Sequence, residues 1–205
     1  MAITDAFTDT NGTGITAHNA AWAYVYGSGT DLQIQSNRLR VSGDGVDGIA
    51  QRTDGTFPAD QYAQIVLSQL AAGQLIGIAL GCQGAGSGDC VIAAADLDDV
   101  VLVQVTNGVF DWGGANTVAS TVSNGGTLRL TRVGNTYTVT YNGSTDNMPS
   151  AMVTASFSGG SPGVFSFNDS GVGTTSAMDD FECSDVSAGG AVLRKNSLLR
   201  MFAGR

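Results

Sequence analysis

Apolar and polar side chains alternate along most of the chain, with the two-residue period of a β-strand that buries one face. The plainest example is residues 127–144, TLRLTRVGNTYTVTYNGS, which alternate on both sides of Gly134 and Asn135. Threonine, tyrosine and valine dominate this stretch, and such residues suit a pleated surface. We therefore predict a β-hairpin that turns at Gly134 and Asn135.

Several other stretches have the same period or a denser one. DLQIQSNRLRVSG predicts two short strands with a break at Ser36 and Asn37. QYAQIVLSQL predicts a strand with Ala63, Ile65 and Leu67 on one side. LIGIALGC and DVVLVQV are apolar at nearly every position. That density is typical of strands that are buried on both faces, so we expect them to lie inside the protein.

Turns that contain glycine separate these stretches at intervals of about eight to twelve residues. That spacing predicts about a dozen short strands in an all-β fold, an antiparallel β-sandwich of the jelly-roll type. A chain of 205 residues suits one such domain. The segment SDVSAGGAVL brings small, flexible residues, so we place the domain over residues 1–188 and a short C-terminal tail over residues 189–205.

Charge excludes two classes of partner. Only 13% of the residues are charged, about half the usual ~25%, and the net charge is −9. Affinity for nucleic acid depends on Lys and Arg contacts to phosphates, so we expect the domain to bind no nucleic acid. The same charge argues against anionic membrane surfaces, and no apolar run approaches the ~20 residues that span a bilayer.

The C-terminal sequence AVLRKNSLLRMFAGR differs from the rest of the chain. It holds four of the nine basic residues and no acidic one. Everything before it carries five basic and eighteen acidic side chains, a net charge of −13. Exposed apolar side chains among basic ones usually mark a contact, whereas a frayed terminus is the alternative. We predict that the partner-binding residues are Leu193, Arg194, Lys195, Leu198, Leu199, Arg200, Met201 and Phe202.

The chain has three cysteines, an odd number. Cys82 and Cys90 flank QGAGSGD and could close a small loop, which would leave Cys183 without a partner. The start of the chain, MAITDAFTDT, has neither a basic region nor an apolar one, so we expect no secretory signal. We therefore expect three free thiols in a reducing cytoplasm, with a bridge between Cys82 and Cys90 as the alternative.

The order of several motifs resembles a known fold family. DAFTDTNGTGITAHN is followed by Trp22, IQSNRLRV and DQYAQIVL, and later by GTLRLTRVGNTYTVTYNGS and PGVFSF…MDDFECSDV. Over residues 3–186 this order resembles the concanavalin A-like lectin/glucanase (laminin-G-like) jelly rolls. The resemblance implies that the last strand returns to pair beside the first. The opening is similar to that of domains in the virion proteins of tailed bacteriophages.

The resemblance implies a structural role in a virion that assembles in the host cytoplasm. The role that we expect is a capsid decoration (cement) protein, which binds the outer capsid surface and stabilises it. Its partners would be the phage capsid or another virion protein, and copies of itself in a homo-oligomer, with a trimer favoured. The alternative is a carbohydrate-binding module of a tail fibre or receptor-binding protein, with a glycan as its partner.

The hydrolases of this family carry two Glu residues around an Asp on one strand. Retaining hydrolysis needs two carboxyl groups ~5–5.5 Å apart. Glu182 is the single Glu of this chain. Asp96 and Asp98 of DLDD would share one face of a strand, but their position before VVLVQV favours a hairpin turn. We therefore predict no catalytic residue and a protein that is not an enzyme.

Other candidate chemistry is equally sparse. Calcium needs several oxygen ligands, and Asp44 with Asp47, or Asp179 with Asp180, could supply some of them. Solvated aspartates in turns are the interpretation that we favour, so we predict no metal and no cofactor. His18, the single histidine, is expected to form hydrogen bonds in a loop or at a strand end.

Five aromatic residues stand out as candidates for a platform on which a sugar ring could stack. Such residues more often fill the core of a sandwich, and that is the interpretation that we favour here. The residues are Trp22, Tyr24, Tyr26, Tyr62 and Trp112.

Overall fold

Short β-strands make up nearly all of the regular structure in the computed structural model. The structure describes residues 2–186, apart from positions 30, 85, 155, 156, 170 and 172. Sixteen strands and one single-turn helix lie within those residues. The number exceeds the predicted dozen because several strands are pieces of two to four residues. In chain order the elements are β1 (Ile3–Asp5), α1 (Ile15–His18), β2 (Trp22–Tyr26), β3 (Leu32–Ile34), β4 (Leu39–Val41), β5 (Asp47–Arg52), β6 (Gln61–Gln69), β7 (Gln74–Cys82), β8 (Cys90–Ala95), β9 (Asp99–Thr106), β10 (Val109–Phe110), β11 (Asn116–Ala119), β12 (Thr127–Val133), β13 (Thr136–Tyr141), β14 (Met152–Val153), β15 (Ser161–Asn168) and β16 (Ala177–Asp185).

Sheet A holds eight strands in the order β14-β13-β12-β6-β16-β4-β3, with β1 also paired to β16. Ile3 of β1 lies opposite Cys183 of β16, so the last strand returns beside the first, as the resemblance implied. The predicted hairpin is β12–β13, and it turns at Gly134 and Asn135. Gly134 has a φ of 57°, which glycine adopts without strain and a tight hairpin turn requires.

Sheet B also holds eight strands, in the order β10-β9-β8-β7-β15-β5-β2, with β11 also paired to β9. Both β10 and β11 therefore pair with the same strand. Phe110 of β10 lies opposite Val105, and Asn116 of β11 lies opposite Leu102. Residues 111–115 form a loop that leaves the edge of sheet B and returns to it.

The two sheets pack face to face over one apolar core, to which strands of both sheets contribute. Ala63, Ile65 and Leu67 of β6 are fully buried in it, as their alternation predicted. Full burial of each large aliphatic side chain contributes about 1.5–3 kcal/mol to stability, so this core is the main support of the fold. The predicted all-β antiparallel sandwich of the jelly-roll type is confirmed.

Sheet B is apolar on its other face as well. A second buried cluster covers that face and includes Ile92, Val103 and Phe165. The rings of Tyr26 in β2 and Phe110 in β10 meet edge to face, with their centroids 6.2 Å apart, although these strands lie at opposite edges of the sheet. Sheet B is therefore strongly curled. The curl buries both faces of β7 and β9, as their dense apolar sequences predicted.

Two sequence predictions concern the ends of the chain or its relation to membranes. The predicted domain boundary near residue 188 and the tail over 189–205 lie outside the described residues and stay predictions. In the described part of the chain, no helix has both the length and the apolar character needed to cross a bilayer.

Candidate functional site

A cleft of about 220 Å³ opens at one end of sheet B, on the face away from sheet A. Because β15, β7, β8 and β9 pair in antiparallel succession, the end of one strand lies beside the start of the next. Apolar, aromatic and acidic side chains therefore come together there. The residues that line the cleft are Gly73, Leu75, Asp96, Asp99, Val101, Trp112, Thr117, Phe167 and Asp169.

Trp112 is the largest side chain of the cleft, and the loop over residues 111–115 holds it in place. The Gly114 N–H donates to both the backbone carbonyl and the carboxylate of Asp111, which closes the loop. The indole stacks parallel on Phe110, with centroids 5.3 Å apart, and lies 6.3 Å from the ring of Phe167. Even so, 47% of Trp112 is exposed. The result is an aromatic surface that is held firmly and open to solvent.

The prediction that the five aromatic residues fill the core is wrong for Trp112 and correct for Trp22, which is 2% exposed. Tyr24 and Tyr26 are half-buried against the two apolar clusters. Tyr62 is half-buried under the guanidinium of Arg129. Sequence reasoning missed a usable signal, the motif DWGG, because a large aromatic side chain beside two glycines belongs to a loop rather than to a strand.

Asp96 holds the floor of the cleft together. Its Oδ1 accepts hydrogen bonds from the backbone N–H groups of Asp98 and Asp99, at 2.7 and 2.8 Å. Its Oδ2 accepts the N–H of Gly73 at 2.9 Å. Asp96 is 6% exposed. The carboxylate therefore fixes the β8–β9 turn, as the sequence predicted for DLDD, and ties it to the start of β7.

Two other carboxylates of the cleft are available to a ligand. Asp99 and Asp169 are both exposed. Neither side chain forms a hydrogen bond or ion pair with another described residue, although the Asp169 N–H donates to the carbonyl of Gly73. Oxygen acceptors and an aromatic face thus lie in one small cleft. Ligand sites commonly consist of an apolar or aromatic surface with a few polar groups of this kind.

A second group of polar side chains lies near the N-terminus and uses all of its acceptors internally. We call it the Asp5 cluster: Asp5, Asp9, His18, Trp22 and Arg52. The Asp5 carboxylate accepts hydrogen bonds from His18 Nε2 at 2.9 Å, Trp22 Nε1 at 2.8 Å and Arg52 Nη1 at 3.4 Å. His18 Nδ1 lies 3.2 Å from Asp9 Oδ2. His18 therefore forms the predicted hydrogen bonds, but it lies at the end of the helix α1 rather than in a loop or at a strand end.

Charges in the Asp5 cluster reinforce one another. Burial opposes ionisation of Asp5, but hydrogen bonds from Trp22, His18 and the Phe7 N–H outweigh it and lower the pKa of the carboxyl. Burial also opposes protonation of His18, yet its hydrogen bonds to Asp5 and Asp9 raise the pKa of the imidazole above its ordinary 6.5. Only a doubly protonated ring can donate to both carboxylates. The cluster therefore stabilises the fold and leaves no group free for a substrate.

Glu182 lies on the opposite side of the sandwich from the cleft. In β16 it alternates with the buried Phe181 and Cys183, so it points away from the core of sheet A. Tyr62 donates to Glu182 Oε1 at 2.5 Å. Burial and this hydrogen bond raise the pKa of Tyr62 to about 12. Glu182 therefore contributes nothing to the cleft.

The remaining aspartates singled out by the sequence hold loops together. Asp44 accepts the N–H groups of Gly171 and Gly173, at 2.7 and 3.4 Å. Asp179 Oδ1 accepts the N–H of Asp180 at 2.8 Å. Asp47 is half-buried, and burial raises the pKa of its carboxyl. Within the described ranges, no group of three or more His, Cys, Asp or Glu side chains is placed to hold a metal ion.

Two further predictions concern the cysteines and the tail. Cys82, Cys90 and Cys183 are free thiols and all are buried. The eight predicted partner-binding residues lie in the tail, outside the described residues, so partner binding by the tail stays a prediction. They are Leu193, Arg194, Lys195, Leu198, Leu199, Arg200, Met201 and Phe202.

Comparison with known proteins shows the fold but no family membership. No family model matches the sequence, and no curated protein matches it. Among solved structures, the chain is similar to the carbohydrate-binding module CBM66 from Bacillus subtilis, with 16% identity, a TM-score of 0.54, and coverage of 80% of this chain and 96% of that one. It is also similar to the lumenal domain of VIP36 in a form bound to Ca²⁺ and Man3GlcNAc, with 9% identity, a TM-score of 0.59, and coverage of 86% and 88%.

A third similar structure is that of an enzyme, SCLam, a non-specific endo-β-1,3(4)-glucanase of family GH16. The identity is 9%, the TM-score is 0.58, and the match covers 89% of this chain and 90% of that one. The fold is therefore that of the concanavalin A-like jelly rolls, as predicted. Binding proteins and glycosidases both have this fold, so the fold does not decide between them. None of the three structures is described as a phage protein.

Proposed function

We propose that this protein is a carbohydrate-binding module that holds a sugar ring against Trp112 in the cleft of sheet B. The observation that carries the proposal is a tryptophan fixed by stacking on Phe110, yet 47% exposed, beside the free carboxylates of Asp99 and Asp169. The flat apolar face of a pyranose can cover the indole, while its hydroxyl groups donate to the carboxylates. Similarity to CBM66 and to VIP36 supports a carbohydrate-related function.

The size of the cleft favours a small part of a glycan. Its volume of about 220 Å³ is below the ~300–1,000 Å³ of pockets that enclose a drug-sized ligand. One ring, at a chain end or a branch, matches this space better than a long polysaccharide. We therefore expect weak binding to a single site, which several copies or several modules would strengthen by multivalency.

Binding without hydrolysis is the activity that we propose. Both oxygens of Asp96 already accept backbone N–H groups, and Glu182 lies on the other side of the sandwich. The hydrolases that the sequence resembles carry two Glu residues for this chemistry, and Glu182 is the single Glu of this chain. Of the two virion roles implied by the resemblance, a tail fibre or receptor-binding protein is the one that includes a glycan site, and it is the setting that we propose. Capsid decoration stays a prediction that rests on the resemblance and on the tail.

The test is a screen of defined oligosaccharides with the intact chain, followed by calorimetry with each glycan that binds. Trp112→Ala should weaken binding about tenfold or more, because it removes the stacking surface, and Trp112→Phe should retain part of the affinity. Val153→Ala is the matched control, since Val153 is 73% exposed in β14 of sheet A. Absence of any bound glycan, or equal affinity of Trp112→Ala and the wild type, would overturn the proposal.

A further inference from the structure

The ionisable side chains that line the cleft all have the same sign of charge. Asp96, Asp99 and Asp169 line it, and no described Lys, Arg or His does. The carboxylate of Asp96 is neutralised in part by three backbone N–H groups. Asp99 and Asp169 have no such partners among the described residues. The open part of the cleft therefore presents two uncompensated carboxylates beside an aromatic face.

Four of the five arginines in the described part of the chain bind groups outside the cleft. Arg52 binds Asp5 and Asp54, and Arg129 stacks on Tyr62. Arg132 is 1% exposed and donates to the carbonyls of Gly134, Phe157 and Gly159. Arg40 donates to the carbonyl of Thr174, and Arg38 is not among the lining residues. Among the described residues, no Arg or Lys lines the cleft to pair with a negatively charged ligand there.

We propose that the cleft selects sugars that carry a free amine, such as oligosaccharides of unacetylated glucosamine, over neutral and acidic sugars. This inference rests on the proposed function and specifies its ligand class. A protonated amine would donate charge-assisted hydrogen bonds to Asp99 or Asp169, which are about twice as strong as neutral ones. The same cation is attracted to the face of Trp112. A uronic acid or sulfated sugar would instead place like charges together.

Three trisaccharides of one size test the inference against the intact chain at mildly acidic pH, where the amine is protonated. The probes are tri-glucosamine, its fully N-acetylated form and tri-galacturonate. We expect tri-glucosamine to bind about tenfold more tightly than the acetylated form, since one charge-assisted hydrogen bond is gained. Tri-galacturonate should bind more weakly than both. The preference for the amine should shrink as salt is added.

Controls separate recognition in the cleft from general attraction to an acidic protein. Residues before Arg194 have a net charge of −13, so any polyamine is drawn to them. The double variant Asp99→Asn/Asp169→Asn should lose the tenfold preference, so that any remaining binding is equal for the amine and acetylated sugars. Asp98→Asn is the matched control, because Asp98 is exposed in the same turn and does not line the cleft. It should keep the preference.

The outcomes distinguish failure of the inference from failure of the proposed function. Equal affinity for the amine and acetylated sugars would overturn the inference and leave the binding function standing. Survival of the preference for the amine in the double variant would also overturn the inference, and so would its loss in Asp98→Asn. Either result would mean that the preference comes from the overall charge of the protein. Binding of none of the three probes, together with a negative glycan screen, would overturn both.

Discussion

Carboxylates have opposite roles in the two polar regions of this sandwich. In the Asp5 cluster, the side chain of Asp5 is 5% exposed and accepts hydrogen bonds from an indole, an imidazole and a guanidinium. In the cleft, Asp99 and Asp169 are exposed and have no described side-chain partner. Each region also contains one of the two tryptophans. Trp22 is buried and hydrogen-bonded, whereas Trp112 is half-exposed on one end of sheet B.

The difference shows that residue type alone does not identify a binding site. What matters is whether the fold supplies partners for a polar group. Helix α1 and strands β2 and β5 bring donors to Asp5 from positions 13, 17 and 47 residues away in sequence. Among the described residues, the strand ends around the cleft bring no hydrogen-bond donor to the side chains of Asp99 or Asp169. An uncompensated acidic group at a concave surface has acceptor capacity left for a ligand.

The largest effect on stability should come from the Asp5 cluster. Asp5→Ala removes the acceptor of the His18, Trp22 and Arg52 side chains, although Arg52 keeps Asp54, so we expect a loss of about 3–5 kcal/mol in the free energy of unfolding. Urea denaturation of both proteins measures it. Asp9→Ala is the control, because Asp9 is more exposed and contacts His18 alone among the side chains of the cluster. A loss below ~1 kcal/mol for Asp5→Ala would show that the cluster is not the structural anchor described here.

Asp96→Ala should have an intermediate effect on stability. Asp96 lies in the cleft, but its carboxylate, like that of Asp5, accepts several hydrogen bonds from the protein. Three backbone N–H groups lose their acceptor, and we expect a loss of about 1–3 kcal/mol in stability. Hydrogen exchange of the Gly73, Asp98 and Asp99 amides should become faster. Asp98→Ala is the matched control and should change stability by less than ~0.5 kcal/mol. Unchanged exchange at Gly73 in Asp96→Ala would contradict the role assigned to this carboxylate.

The smallest of these effects should be a pH dependence that only the Asp5 cluster shows. The folded protein raises the pKa of His18, so folding stabilises the protonated imidazole. This contribution should be complete below the unfolded pKa of about 6.5 and lost as the pH rises through the higher folded value. Urea denaturation across this range should show stability falling with pH in the wild type. His18→Gln should lack that slope, and a slope of equal size in both proteins would assign it to another group.

Much of the fold could be predicted from the sequence because strand burial has a two-residue period. The alternation in β6 and in the β12–β13 hairpin identified both the strands and their buried faces. The turn at Asp96 was also predictable, since an aspartate accepts nearby backbone N–H groups in turns. These features depend on residues that are close in sequence, or on a pattern that repeats along one strand.

The cleft could not be predicted, because it depends on the curl of sheet B. Dense apolar sequences indicated that β7 and β9 are buried on both faces, but not what covers the second face. The cover includes Phe110 and Tyr26 from opposite edges of the sheet. Trp112 lies on Phe110 and is left exposed by this packing. The Asp5 cluster was missed for a similar reason, since its members come from β1, the loop after it, α1, β2 and β5.

The two tryptophans provide the most direct test of the central claim, which is that the cleft binds a sugar ring on Trp112. In a ¹⁵N-labelled protein their indole N–H groups should give two resolved signals, since the chain has only two tryptophans. Addition of tri-glucosamine, or of any glycan found in the screen, should shift the Trp112 signal in a saturable way and leave that of Trp22 in place. A ligand that binds while the Trp112 signal stays unchanged, or that shifts only Trp22, would contradict the account.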